Sequence, residues 1–145
     1  MAEALDVARY FLDVAARDPS PDGLTPPRLH GLLLFAQGWH LGSFGFPLFA
    51  DPVTAGDRGP VVAAVDAAAG GDPAHPLRAG DLGASRLSFR DRRFVDAVWD
   101  KYRGYSAAGL RDLAAAETPW PDLSPAALEA CFRRRDELRH FDPQE

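Results

Sequence analysis

The stretch of sequence that decides the fold is Leu24–Val62, LTPPRLHGLLLFAQGWHLGSFGFPLFADPVTAGDRGPVV. Thr25 can cap a helix whose first turn holds Pro26 and Pro27, because a missing backbone N–H costs little in the first turn. At about 100° per residue, an apolar arc covers one broad side of the helix from Leu29 to Leu41. Its members are Leu29, Leu32, Leu33, Phe35, Ala36 and Trp39. The pattern predicts a helix in the middle of a hydrophobic core.

The same helix carries two glycines and three polar side chains. Gly31 and Gly38 fall together on one side, which is flat enough for another backbone to lie close. Gln37, His40 and His30 lie within the apolar arc or at its edge, so we expect them to have hydrogen-bonding partners. We interpret His40 as a core histidine that donates to a backbone carbonyl of a neighbouring loop. The alternative is a polar contact for a partner protein.

Three tryptophans receive different interpretations. Trp39 and Trp99 recur at helical spacing with other apolar residues, which predicts core packing, with contact to a partner as the alternative. Trp120 lies between two prolines where a helix ends, so ordinary core packing explains it less well. We interpret Trp120 as an interface anchor or as the plug of a groove.

The remaining chain is predicted to be mainly helical. Ser88, with Asp91 three residues later, resembles a capping box, and Ser106 can cap the following helix. A shorter helix is expected to start with Pro60 at its first helical position. The longer helical segments are residues 2–16, 88–104, 106–116 and 124–140.

Glycines and prolines recur every few residues after Leu41, which ends the central helix. Two short strands are predicted here, Pro47–Phe49 and Val53–Ala55, joined by a turn at residues 50–52. Gly59 is expected to take a positive φ and to set the geometry between this loop and the next helix. The predicted fold class is mainly α: a compact single-domain helical bundle with a small β-hairpin after the central helix.

Length and composition limit the classes of protein. A chain of 145 residues can bury about two-thirds of its unfolded surface, so we expect one domain over residues 1–145, with a core from about residue 4 to 120 and a C-terminal helix at 124–140. Cys131 is the single cysteine, which excludes an internal disulfide.

The first residues lack the pattern of a secretory signal, and no apolar segment approaches the roughly 18 residues that span a bilayer. We therefore expect a cytoplasmic protein.

The formal net charge of −5 argues against nonspecific nucleic-acid binding, which depends on clustered Lys and Arg. A basic run, RRRDELR at residues 133–139, stands in the last predicted helix. We interpret it as a solvated helix face with mixed ion pairs. The alternative function is a helical nucleic-acid-binding regulator, for which a basic stripe on this helix would be the discriminating feature.

Signals for catalysis are missing. The four histidines do not form H-x-x-x-H or H-E-x-x-H, and Cys131 has no C-x-x-C partner, so we expect no metal site and no cofactor. Neither Ser43 nor Ser106 lies in a G-x-S-x-G turn. The sequence therefore predicts a protein that is not an enzyme. A third hypothesis, an uncharacterised hydrolase, would require His30, Gln37 and His40 to form a polar cluster open to solvent.

Four motifs in order carry a family resemblance: DVARYFL (6–12), LLLFAQGWHLGSFGFPLF (32–49), GPVV (59–62) and VWDKYRGYSAAGLRDLAAAETPW (98–120). Together they resemble the Panacea domain, the antitoxin module that includes the SocA-type proteolytic adaptors and phage-associated relatives. The resemblance covers roughly Ala4 to Trp120. It implies an antitoxin whose partner is a cognate toxin encoded next to it, neutralised by direct binding or delivered to an ATP-dependent protease.

The chain departs from the family pattern at three places. Arg58 stands where the family often has an aromatic residue, Gly31 replaces a usual Lys, and Ala115 stands where the family usually carries a His. Any shared site built on that His is therefore not expected here. The residues predicted to bind the partner are Phe44, Phe46, Phe49, Arg58, Gly59, Pro60 and Trp120, and those predicted to form the core of the motif are Gln37, Trp39, His40 and Trp99.

Overall fold

The computed structural model describes residues 1–18 and 23–133. These residues form six helices and one two-stranded antiparallel sheet. The elements in chain order are α1 (Ala4–Ala15), α2 (Pro26–Phe44), β1 (Thr54–Gly56), β2 (Gly59–Val61), α3 (Ala63–Ala69), α4 (Phe89–Tyr102), α5 (Ala107–Glu117) and α6 (Pro125–Arg133). The protein is thus mainly α-helical with one small hairpin, as the sequence predicts. The part of the predicted last helix beyond residue 133 lies outside the described residues.

Helix α2 is the centre of the fold. Every residue from Leu29 to Leu41 is buried, and α2 contacts each of the other five described helices. A helix that is apolar on all sides has no face suited to water, so it becomes the element on which the others pack. The helix continues to Phe44, and Gly45 ends it in the left-handed conformation with φ of 79°. Thr25 occupies the capping position, but its side chain makes no capping hydrogen bond, so that detail of the prediction is wrong.

The glycine side of α2 is where α5 and α6 pack. A Cβ atom on Gly31 would lie 3.0 Å from Cβ of Leu110 in α5. A Cβ atom on Gly38 would overlap the ring of Phe132 in α6, and one on Gly42 would lie 2.7 Å from the backbone carbonyl carbon of Phe132. The flat side that the two predicted glycines indicated therefore exists, and Gly42 extends it by one turn.

Serine caps begin the three helices of the second half. Ser88 Oγ accepts a hydrogen bond from the Asp91 amide at 3.1 Å, and Ser106 Oγ accepts from Gly109 at 3.0 Å. Ser124 Oγ accepts from Ala127 at 3.3 Å. Each cap satisfies one of the amides that a helix start leaves without an intrahelical partner. The predicted starts of these helices are confirmed.

The predicted hairpin is wrong in position. The strands are β1 and β2, with Thr54 opposite Val61 and Gly56 opposite Gly59 around a turn at residues 57–58. Residues 47–49 do not form a strand of this hairpin because other groups take their backbone hydrogen bonds, as described below. A hairpin does exist. Its first strand, β1, overlaps the second predicted strand, Val53–Ala55, and its turn follows that strand instead of preceding it.

Pro60 lies in strand β2, opposite Ala55, and not at the start of a helix. Helix α3 begins at Ala63, with Val62 in the capping position. A proline without an N–H is tolerated in an edge strand as well as in a first helical turn, so the residue type alone did not distinguish the two. Gly59 takes φ of 120°, which confirms the predicted positive φ.

Over the described ranges 1–18 and 23–133, no helix combines the length and the apolar character needed to cross a bilayer.

Candidate partner-binding surface

The loop between α2 and β1 is anchored to α2 by the buried side chain of Gln37. Gln37 Oε1 accepts hydrogen bonds from the amides of Leu48 at 2.8 Å and Phe49 at 3.3 Å. Its Nε2 donates to the Phe49 carbonyl oxygen at 2.8 Å. The Leu48 carbonyl accepts from the amide of Ala2 at 3.1 Å. The path of the loop is therefore fixed by four hydrogen bonds, three of them from one side chain.

His40, one turn further along α2, holds the start of the same loop. Its Nδ1 lies 2.7 Å from the carbonyl oxygen of Phe46, and its Nε2 lies 3.3 Å from Nη1 of Arg90 in α4. A carbonyl only accepts and a guanidinium only donates, so the ring is neutral with its proton on Nδ1. Burial lowers the pKa of His40, the bond to Phe46 acts in the opposite direction, and the charge of Arg90 lowers it further.

Phe46 of this loop, Phe44 at the end of α2 and Arg90 of α4 form a patch that we call the Phe46 surface. Arg90 is also ion-paired with Asp91 at 3.1 Å. The Arg90 guanidinium lies 4.7 Å from the centre of the Phe44 ring and 5.8 Å from that of Phe46. Both rings also contact the His40 ring, at 4.8 and 5.0 Å between centres. Phe46 is 50% exposed. Aromatic residues and arginine are the types enriched in protein interfaces.

Sequence reasoning missed Arg90 and its neighbour Phe89, which is 64% exposed. The cap at Ser88 placed both residues in the first turn of α4, but nothing in the sequence pattern placed that turn beside the loop after α2.

The other predicted aromatic residues are buried or partly buried. Phe49 is fully buried, so it supports the loop from below and adds nothing to the exposed surface. Trp39 is buried and donates from Nε1 to Tyr102 Oη at 2.7 Å, and Trp99 is also buried. Trp120 is partly buried and packs against the core.

Arg58, Gly59 and Pro60 lie at the hairpin, near the other end of α2. His30 of α2 accepts a hydrogen bond at Nδ1 from the amide of Val62, at 3.1 Å, which holds the chain between β2 and α3 against this end. Ten residues of helix separate His30 from His40, about 15 Å along the axis. The aromatic loop and the hairpin therefore attach to α2 at different turns.

The hydrolase hypothesis fails on burial. His30, Gln37 and His40 are each buried and each is bound to backbone groups of a loop or strand, so they do not form a polar cluster open to solvent. Among the described residues there is also no group of three His, Cys, Asp or Glu side chains arranged to hold a metal ion.

The basic stripe required by the nucleic-acid hypothesis falls mostly outside the described residues. Arg133, the part of it that is described, forms an ion pair with Glu129 at 2.8 Å. That pair spans one helical turn, as expected of a solvated helix face. Arg134, Arg135 and Arg139 are outside the described ranges.

Comparison with known proteins agrees with the motifs in the sequence. The family model described as antitoxin SocA-like, Panacea domain, matches residues 29–121, which is more than half of the 145 residues. The match includes the Phe46 surface and the hairpin. No curated protein and no solved structure matches the chain. The chain therefore belongs to the antitoxin SocA-like family defined by the Panacea domain.

Proposed function

We propose that this protein is a cytoplasmic antitoxin that neutralises a toxin encoded beside it by direct contact, and that the Phe46 surface is its contact region. Family membership supports an antitoxin-type role. One observation carries the choice of surface: Phe46 is half exposed while its own carbonyl oxygen is bound by a buried histidine. An apolar ring that is held in place and faces water is suited to contact with another protein.

The energetics support a binding role for this ring. Burying about 100 Å² of aromatic surface contributes on the order of 2.5 kcal/mol. The loop is already ordered by Gln37 and His40, so binding loses less conformational entropy than it would with a free loop. Arg90 packs over the rings and is ion-paired with Asp91 at 3.1 Å, so the pair supplies the polar rim that usually surrounds an apolar contact.

The experiment is co-expression with the product of the neighbouring gene. Phe46→Asp is expected to abolish protection of the cells and co-purification of the two proteins, because a carboxylate cannot enter an apolar pocket without losing its hydration. Tyr105→Asp is the matched control. Tyr105 is a partly exposed aromatic residue beyond the other end of α4, about 20 Å from Arg90 along the helix.

Full protection by Phe46→Asp would overturn the assignment of the surface. If Tyr105→Asp removed protection equally while both variants stayed folded, the contact would not be specific to the Phe46 surface. Thermal unfolding of each variant checks folding.

Delivery of the toxin to a protease is the other mode of action in the family. An adaptor needs a second contact region, for which the charged segment FRRRDELRHFDPQE (132–145) is the candidate. Cells lacking the major ATP-dependent proteases distinguish the modes. Direct neutralisation predicts that protection persists in those cells. Loss of protection while the complex still forms would favour delivery.

We also propose that the protein has no catalytic activity and needs no cofactor. The supporting observation is the absence of nucleophile, base and ligand spacings from the sequence. Stoichiometric zinc retained through purification without added metal would contradict this proposal.

A further inference from the structure

A cavity of about 230 Å³ lies between the start of α2, the hairpin and the end of α3. It is about ten residues of α2 away from the Phe46 surface. Small-molecule sites usually measure about 300–1,000 Å³, so this cavity suits one side chain better than a whole ligand. Its apolar wall is made largely by Pro26, Pro27, Pro60 and Pro73.

The polar part of the cavity contains a buried donor without a partner. His30 accepts at Nδ1 from the Val62 amide, so a neutral ring carries its proton on Nε2. That Nε2 has no hydrogen-bonding partner among the described residues. Asp66 Oδ1 lies 3.9 Å away, which is too long for a hydrogen bond. A ligand that presents an acceptor here would satisfy a group that is otherwise left without a partner.

The ligand must also suit Asp66, whose side chain is 64% exposed at the cavity. A carboxylate accepts hydrogen bonds and repels anions. The site therefore offers a donor and an acceptor about 4 Å apart beside an apolar wall. A peptide backbone presents the complementary pair, a C=O group and an N–H group, next to a side chain. A simple anion could accept hydrogen bonds from His30 and from the exposed Arg58, but the Asp66 carboxylate at the same cavity would repel it.

We propose that this cavity binds an extended segment of the toxin, with its backbone amide groups at His30 and Asp66 and one apolar side chain against the prolines. The inference rests on the proposed antitoxin function and adds a second contact region to it. Because the hairpin sets one wall, the positive φ of Gly59 shapes this site as well as the turn.

The chemistry is tested first with a fragment. N-acetyl-leucine N-methylamide is titrated into the full chain while NMR follows the His30 Nε2 and Val62 amide signals. A dissociation constant on the order of 1 mM is expected for a fragment of about 13 non-hydrogen atoms. Sodium acetate, which has no N–H group, is the control probe and should shift these signals much less. No shift with the amide, or an equal shift with acetate, would overturn the proposal.

The partner is tested with charge-matched variants. Asp66→Lys removes the acceptor, and Asp100→Lys makes the same change at an exposed position of α4 outside the cavity. Asp66→Lys should lower the affinity for the toxin at least tenfold, whereas Asp100→Lys should leave it within twofold. Equal affinity of both variants would overturn the cavity assignment. The Phe46→Asp result is independent of this comparison, so failure of the cavity and failure of the antitoxin proposal are distinguishable.

Discussion

The side-chain oxygen and nitrogen of Gln37 both form hydrogen bonds with the main chain of Phe49. Its Nε2 donates to the Phe49 carbonyl at 2.8 Å, and its Oε1 accepts from the Phe49 amide at 3.3 Å. Phe49 is fully buried, so these backbone groups have no access to bulk water. One side chain of the central helix thus fixes the loop that carries the Phe46 surface.

We expect Gln37→Leu to lower the free energy of unfolding by about 2–4 kcal/mol, because the change leaves buried amide and carbonyl groups of Leu48 and Phe49 without partners. Urea unfolding measures the change. Thr54→Val removes a single exposed hydrogen bond, from Oγ1 to the Val61 carbonyl, and should shift stability by less than about 0.5 kcal/mol. A loss below about 1 kcal/mol for Gln37→Leu would mean that the loop finds other partners.

Gly42→Ala is expected to destabilise the packing of α6 on α2. The added Cβ would lie 2.7 Å from the backbone of Phe132, and overpacking of this kind costs about 1–3 kcal/mol. The better helix propensity of alanine offsets up to about 1 kcal/mol of that cost. Gly104→Ala is the control, since a Cβ there would meet nothing within 4 Å. The close contact would be refuted if thermal unfolding showed Gly42→Ala to be as stable as the wild type.

Gly59→Val should cost about 1–3 kcal/mol, because a β-branched residue is strained at a positive φ. Steric overlap is not the cause, since a Cβ would lie 3.6 Å from Arg111 Cγ, an ordinary contact. Asp57→Ala, in the adjacent turn, is expected to have little effect on stability or on partner binding. Chemical unfolding and toxin co-purification should both show a larger loss for Gly59→Val than for Asp57→Ala. Equal, negligible effects of the two changes would show that the hairpin does not require Gly59.

Acidification should destabilise the protein through its buried histidines. Burial lowers the pKa of His30 and of His40, so the unfolded chain, with histidine pKa near 6.5, binds protons more readily than the folded chain. The contribution of these histidines to the free energy of unfolding is fully present above about pH 6.5. It decreases as the pH falls toward their pKa values in the folded protein, by up to about 1.4 kcal/mol per pH unit for each histidine.

The measurement is urea unfolding at about pH 7.5 and about pH 5.5. His40→Asn should show a shallower dependence on pH than the wild type, while His75→Gln, at an exposed position, should show the same dependence. If the stability of the wild type decreased with falling pH no more than that of His40→Asn, the expected role of His40 would be contradicted. Protonated His40 would also lose the hydrogen bond that Nε2 accepts from Arg90, because both groups then only donate. Toxin binding through the proposed Phe46 surface is therefore expected to weaken over the same range.

The sequence was informative wherever the cause of the structure is local. Serine caps act within three residues, so Ser88 and Ser106 were identified from their neighbours. The apolar arc of α2 and the glycines on its flat side follow from helical periodicity alone. Four motifs in order indicated the family, and the match over residues 29–121 bears out the family and contains the last three of the motifs.

The sequence by itself determined that the segment from Leu29 to Leu41 would be the buried centre of a mainly helical protein, because a broad apolar arc and a glycine side leave the helix little surface suited to water. Only the tertiary structure decided which residues surround the loop and the hairpin. The Phe46 surface depends on Arg90, 50 residues from His40 in the chain, and the cavity depends on His30 reaching Val62, 32 residues away. Contacts between distant residues have no period in the sequence, and strands of three residues have too few positions to show one, so packing alone determined their place.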